Sequence, residues 1–218
     1  MSILYGDVNP SGRLPYTIAK TEDDYGALLN SSVSFDHFPE DNFTEGLYID
    51  YRAFDKNKID PLFEFGFGLS YTSFGYGKFS ARWEGEVIPS EFPDPEVEII
   101  QGGHPELWDV LAVVRCAVRN TGEVAGAEVA QLYVGIPSGR SDDEESDAPV
   151  RQLRGFKRVG PLAAGEEGQV EFRLTRRDLS IWDVVAQQWR LRRGEYKLWV
   201  GASSRDLRLN GTLVLPDW

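Results

Sequence analysis

Val110-Leu111-Ala112-Val113-Val114-Arg115-Cys116-Ala117-Val118-Arg119 decides the fold of this chain. Val110, Ala112, Val114, Cys116 and Val118 fall on one face of an extended strand, while Arg115 and Arg119 fall on the other. Successive Cβ atoms point to opposite faces of a sheet, so a period of two reads as a strand with one face buried. Working outward, the same period returns in Ala130, Leu132 and Val134, in Val170, Phe172 and Leu174, and in Tyr196, Leu198 and Val200. Turn residues separate these stripes: Asn120-Thr121-Gly122, Pro161 with Gly165, and Arg193-Gly194. Helix signals are almost absent. The pattern predicts short antiparallel strands closed into a two-sheet sandwich.

That sandwich runs from about Tyr71 to Leu215 and suits an immunoglobulin-like or fibronectin type III-like unit of roughly 100 residues interrupted by two excursions. Residues 85–108 carry Pro89, Pro93, Pro95 and Pro105. Residues 138–149 carry Asp142, Asp143, Glu144, Glu145 and Asp147, carboxylates close enough to repel one another and stay hydrated. The ligand spacing of an EF-hand is missing there, which favours a solvated loop over a calcium site. Neither excursion has the look of core. The first 65 residues differ in kind: Ile3 to Pro10 reads as a strand end entering a turn, Arg13 to Ile18 as a short strand, and Asp23 to Asn57 as polar loop. They hold too few apolar side chains for a core of their own and must pack on the sandwich or on another domain.

Composition narrows the partners. The 218 residues include 23 Lys+Arg and 35 Asp+Glu, a net charge of −12, with 41% hydrophobic residues. A core is therefore available, but the cationic footprint that nucleic acid requires is not. Anionic membrane surfaces are disfavoured for the same reason. The single cysteine excludes an intrachain disulfide, and Cys116 sits in an apolar stripe as an inert buried thiol. Met1 to Asp7 offers no basic and apolar leader and no segment has the length of a membrane span, so a soluble chain without a signal peptide is expected. Asn30-Ser31-Ser32, Asn42-Phe43-Thr44 and Asn210-Gly211-Thr212 nevertheless make Asn30, Asn42 and Asn210 candidate N-glycosylation sites, a hint of a secreted parent.

Read together, the motifs point further. Gly6-Asp7-Val8-Asn9-Pro10-Ser11-Gly12-Arg13-Leu14-Pro15 with Asp23-Asp24-Tyr25-Gly26 resembles the closing strand region of the α/β-sandwich domain of fungal β-glucosidases of glycoside hydrolase family 3. Glu45-Gly46-Leu47-Tyr48-Ile49-Asp50-Tyr51-Arg52 and Phe63-Glu64-Phe65-Gly66-Phe67-Gly68-Leu69-Ser70-Tyr71-Thr72 look like that family's passage into its fibronectin type III-like domain. Further blocks follow in family order: Glu106 to Val110, Asn120-Thr121-Gly122, Ala125 to Val129, Gln131-Leu132-Tyr133 and Leu153-Arg154-Gly155-Phe156. Leu174 to Asp183 and Gly201 to Asp206 complete them. The resemblance implies a mainly β chain. Residues 1–65 would be the C-terminal end of the α/β-sandwich domain with its linker, and residues 66–218 the fibronectin type III-like domain.

The resemblance also implies a retaining glycosidase as parent, with an Asp nucleophile on an N-terminal barrel and a Glu acid/base on the α/β domain. Such chemistry sets two carboxyl groups about 5–5.5 Å apart. Both family positions precede the segment matched by Gly6 to Pro15, so no catalytic residue is expected here. Glu45, Asp50, Asp55 and Asp60 read as solvated or ion-paired loop carboxylates, and Gly66-x-Gly68 as turn glycines, since Tyr71 occupies the third glycine position of a dinucleotide fingerprint. His37 and His104 lack ligand spacing, so neither a metal nor a cofactor is expected. Tyr16, Tyr48, Tyr51, Phe54, Phe63, Phe65 and Phe67 are expected to fill the seam between the two domains. Trp182, Trp189 and Trp199 fall on the sandwich, and Trp199, alternating opposite the Tyr196 face, is the candidate carbohydrate-stacking residue. Arg52, Arg154, Arg176, Arg177 and Arg205 are expected to tie loops and domains together.

The expected role is therefore non-catalytic: the C-terminal part of an extracellular β-glucosidase acting on terminal β-D-glucosyl residues, with the catalytic domains as partner. Two alternatives stay open, a free-standing module that binds polysaccharide and one chain of a split glycosidase.

Overall fold

The computed structural model describes residues 1–29, 44–85, 87–138 and 148–216. Asn30, His37, Asn42 and the carboxylates from Asp142 to Asp147 lie outside the described residues. A short helix, α1 (Tyr51–Asn57), precedes the strands β1 (Phe74–Trp83), β2 (Val110–Asn120), β3 (Gly126–Gly135), β4 (Gln152–Leu162) and β5 (Glu167–Thr175). One helical turn, α2 (Arg176–Leu179), leads into β6 (Ser180–Asp183), β7 (Gln188–Leu191), β8 (Gly194–Gly201) and β9 (Leu207–Leu215). They assemble as a three-stranded sheet β1-β2-β5, a four-stranded sheet β4-β3-β8-β9 and a β6-β7 hairpin.

All pairings are antiparallel. Val114 stands between Ala81 and Phe172, and Leu132 between Gly155 and Val200, so each apolar stripe read from the sequence lies against its neighbours. Ala112, Val114, Cys116 and Val118 from one sheet meet Ala130, Leu132, Val134, Leu198 and Val200 from the other in a single core. Burial pushes the Cys116 thiol up to about 11, as an unreactive core thiol requires. Buried Asn120 closes one end: its Nδ2 donates to the carbonyls of Val124 and Leu162 while its Oδ1 accepts from Thr72 Oγ1 and the Gly122 amide. The sequence marked Asn120 only as a turn residue. Near the start of β8 the Tyr196 hydroxyl donates to the Arg192 carbonyl at 2.6 Å, a tyrosine corner.

Three expectations need correction. Strands with one buried face do not describe β3, where Gln131 and Tyr133 on the outer face are as buried as Ala130, Leu132 and Val134 on the inner. Their cover is the N-terminal segment, which crosses this face. Within that segment Tyr51–Asn57 is helical where loop was expected. Seven residues with no side-chain cap give little local signal, and the helix is held by burying Tyr51 and Phe54. Residues 1–8 form turns in place of a strand end, with the Met1 carbonyl accepting from the Tyr5 amide. The 85–108 excursion lies outside the inter-sheet core but is anchored to the sandwich: Pro93 and Leu107 are buried, and Arg176 donates to Ser90 through both Nη atoms.

Candidate functional site

The feature that distinguishes this sandwich from a bare one is the seam between residues 9–29 and 44–68 and the outer face of the four-stranded sheet. Asp55, one turn into α1, points at that face. Arg151 meets it with Nη2 donating to Oδ1 at 2.9 Å, while Arg151 Nε lies 2.9 Å from Oδ2, outside hydrogen-bonding angle. Arg205 Nη2 approaches Asp55 Oδ1 at 3.1 Å and also donates to the Ile59 carbonyl. The Asp55 side chain retains 5% of its exposure and Arg151 17%, so the pair is held largely out of water.

A second tie forms where β3 begins. Arg13 Nη2 donates to Glu128 Oε1 at 2.6 Å, and the Tyr76 hydroxyl donates to the same oxygen at 3.0 Å. Burial, reinforced by the Glu128 charge, raises the Tyr76 phenol well above its ordinary range. The third tie is neutral: Gln131 Nε2 donates to the carbonyls of Gly66 and Ala202, and its Oε1 accepts from the Tyr133 hydroxyl. Gly66 has φ +83° and a Cβ there would lie 2.2 Å from Gln131 Oε1, which gives the Gly66-x-Gly68 pair its reason. Ser203 donates to Glu64 at 2.6 Å and the Leu153 amide to the Tyr51 hydroxyl at 2.8 Å.

The seam takes some of the expected aromatics and leaves others. Tyr51 packs on Phe65 and edge-on to Tyr133, and Phe54 is buried beside Tyr25, whereas Tyr16 and Phe63 are exposed. Among the arginines, Arg154, Arg176 and Arg205 reach across elements, Arg52 donates to the nearby Ile49 carbonyl, and Arg177 stacks between Trp108 and Trp189. Desolvation lowers the Arg154 and Arg176 guanidinium groups from their ordinary range.

Asp50 accepts from the Thr17 amide and hydroxyl, and Asp55 is committed to two arginines. Glu45 is half-buried and Asp60 exposed. His104 uses both ring nitrogens, Nδ1 accepting from the Glu106 amide and Nε2 bonded to the Asp94 carbonyl. Among the described residues no group of three or more His, Cys, Asp and Glu is placed to hold a metal ion. Trp199 stands on the outer face between Tyr133 and Asn210, half-buried, and leaves so little room at Gly135 that a Cβ there would lie 3.1 Å from its ring. Asn210 is exposed.

A three-on-four antiparallel sandwich with a tyrosine corner is a fibronectin type III-like domain, here with a preceding segment bound across the outer face of its four-stranded sheet. Residues 1–71 match the Glycosyl hydrolase family 3 C-terminal domain and residues 128–204 the Fibronectin type III-like domain. The chain belongs to glycoside hydrolase family 3, as the C-terminal portion that carries the fibronectin type III-like domain. It is 55% identical to the probable beta-glucosidase M of Neosartorya fischeri over 99% of its own length and 27% of that relative's. To the probable beta-glucosidase M of Aspergillus niger it is 56% identical, over 97% of this chain and 26% of the relative. Its structure superimposes on the beta-D-glucoside glucohydrolase of Trichoderma reesei with a TM-score of 0.85 at 41% identity, covering 99% of this chain and 28% of that one. A beta-glucosidase from Chaetomella raphigera gives 0.83 at 46% identity, covering 98% and 27%. The chain thus spans about a quarter of the length of the relatives it matches.

Proposed function

We propose that this chain is the non-catalytic C-terminal part of a β-glucosidase, one that releases terminal β-D-glucosyl residues, and that it buttresses the catalytic domains of that enzyme. The observation that carries this reading is the two-sided character of residues 1–71. One side is bound to the sandwich through Arg13–Glu128, Asp55–Arg151 and Gln131–Gly66. The other leaves Met1, Leu4, Tyr5 and Leu69 70–87% exposed, apolar surface of the kind that a neighbouring domain covers. In this reading residues 1–65 close the α/β domain, residues 66–218 are the sandwich, and the nucleophile and acid/base are supplied by the partner domains. A secreted parent, glycosylated at Asn210 and at Asn30 and Asn42, accords with the exposure of Asn210.

The test is direct. The purified chain, incubated with an aryl β-glucoside, releases no aglycone above buffer. Release that survives repurification overturns the reading. In an intact parent enzyme, Arg151→Ala lowers the melting temperature and leaves KM for the same glucoside unchanged.

A further inference from the structure

The β6-β7 hairpin and the 85–108 excursion enclose a cavity of about 470 Å³ that the seam does not use. Its walls include Pro93, His104, Leu107, Trp182, Gln188 and Trp189. The two indoles meet edge to face, 5.7 Å between centroids and 75° between planes, forming a corner with ring faces on two sides. Trp182 is 45% exposed, and it also lines a neighbouring cavity of about 540 Å³ bounded by Asp183 and Arg190. Volumes of this size lie within the roughly 300–1,000 Å³ of small-ligand sites.

The corner is held in place. Arg177 stands 5.4 Å from the Trp108 ring and 5.6 Å from the Trp189 ring, which fixes Trp189 by cation–π contact. At the hairpin tip Asp183 Oδ1 accepts from the amides of Val185 and Ala186, and Asp183 Oδ2 accepts from Arg190. His104 is locked by its two ring bonds and serves as wall. By contrast, the Trp182 and Trp189 indole N–H groups and the Gln188 amide make no hydrogen bond among the described residues. Ring faces beside unused donors and an acceptor suit a ligand with an apolar face and a hydroxylated rim. A pyranose has both. A chain of net charge −12 disfavours acidic polymers, leaving a neutral glycan.

We propose that this cavity is a saccharide-binding site that takes a neutral β-linked glucan, stacking one pyranose ring on Trp182 and Trp189 and bonding its hydroxyls to Gln188. The choice of glucan rests on the proposed function; the capacity for a pyranose rests on the cavity. The cavity shares no lining residue with the contacts of Ala202, Ser203 and Ser204 with the N-terminal segment. Those contacts therefore leave it open.

Titration calorimetry of the full chain with cellohexaose and with xylohexaose tests this. Saturable binding of cellohexaose is expected, weakened about tenfold by Trp182→Ala, the scale of one aromatic stacking contact. Trp189→Phe, which keeps a ring, retains most of the affinity, and Trp199→Ala on the far sheet face leaves it unchanged. Matched melting temperatures separate loss of the site from loss of the fold. Failure to bind either oligosaccharide, or equal loss in Trp199→Ala, overturns the proposal; binding of xylohexaose alone overturns the glucan assignment. Failure of the proposed function would show itself differently, as free glucose in the cell.

Discussion

Replacing Asp55 by alanine removes one carboxylate from two guanidinium groups at once. Deleting one partner of a buried ion pair costs about 3–5 kcal/mol, because the other charge is left without compensation. Here Arg205 is 31% exposed and can turn to water, while Arg151, at 17%, has less freedom. The low end, about 3 kcal/mol, is therefore appropriate. This cost falls on the docking of residues 9–29 and 44–68, since Asp55 is not part of the inter-sheet core. Native-state hydrogen exchange is the assay. The amides of Ala53, Phe54 and Ile59, bonded to the carbonyls of Asp50 and Phe54, should lose protection about a hundredfold. Amides of Val110 to Val118 should keep theirs. Asp55→Asn, which keeps the shape and loses the charge, should lie between. Unchanged protection in α1 would refute the claim that the ion pair holds the segment, and equal loss in β2 would refute the claim that docking is separable from the sandwich.

Gly66→Ala combines φ +83° with a contact on the buried Gln131 amide and is expected to cost about 2–4 kcal/mol, read as a lowered thermal midpoint. Asn120→Ala strips four hydrogen bonds from the sandwich end and should cost about 2–4 kcal/mol in urea with an unchanged m-value. Stability should also fall in alkali. Burial raises Cys116 from 9.0 to about 11 and Tyr196 from 10.0 to about 12, so above pH 9 the unfolded chain ionises these groups first and binds fewer protons than the native state. Their contribution is complete below pH 9 and lost as pH rises toward 12. Tyr196→Phe should flatten the upper part of that decline in pH-dependent denaturation, and an undiminished decline would contradict the assignment.

The aromatic corner shows where one-dimensional reading stops. Trp182, Trp189 and Trp108 are visible in the sequence, but nothing in their spacing says that Arg177 stands between two of them or that Pro93 and Leu107 fold back to wall them in. Trp199 drew attention because it alternates out of a buried stripe. Alternation assigns a face of the sheet, and only the neighbouring layer determines whether that face is open. Asp55 is a comparable case: one acid in a polar stretch of many, it gains its role from Arg151 and Arg205, some hundred residues away or more.

What the sequence determined by itself is the sandwich. Period-two stripes at Val110–Val118, Ala130–Val134, Val170–Leu174 and Tyr196–Val200 fix which side chains leave water, and turn residues fix where each strand stops. Motif order determined the family. Tertiary structure decided the third layer: that residues 9–29 and 44–68 cover the outer face of β3 and bury Gln131 and Tyr133, that Arg13 ties that segment to buried Glu128, and that the 85–108 excursion is anchored to the fold. The physical reason is range. Strand periodicity follows from backbone geometry between adjacent residues, whereas a buried polar side chain is tolerated only through partners that chain distance conceals until the layers meet.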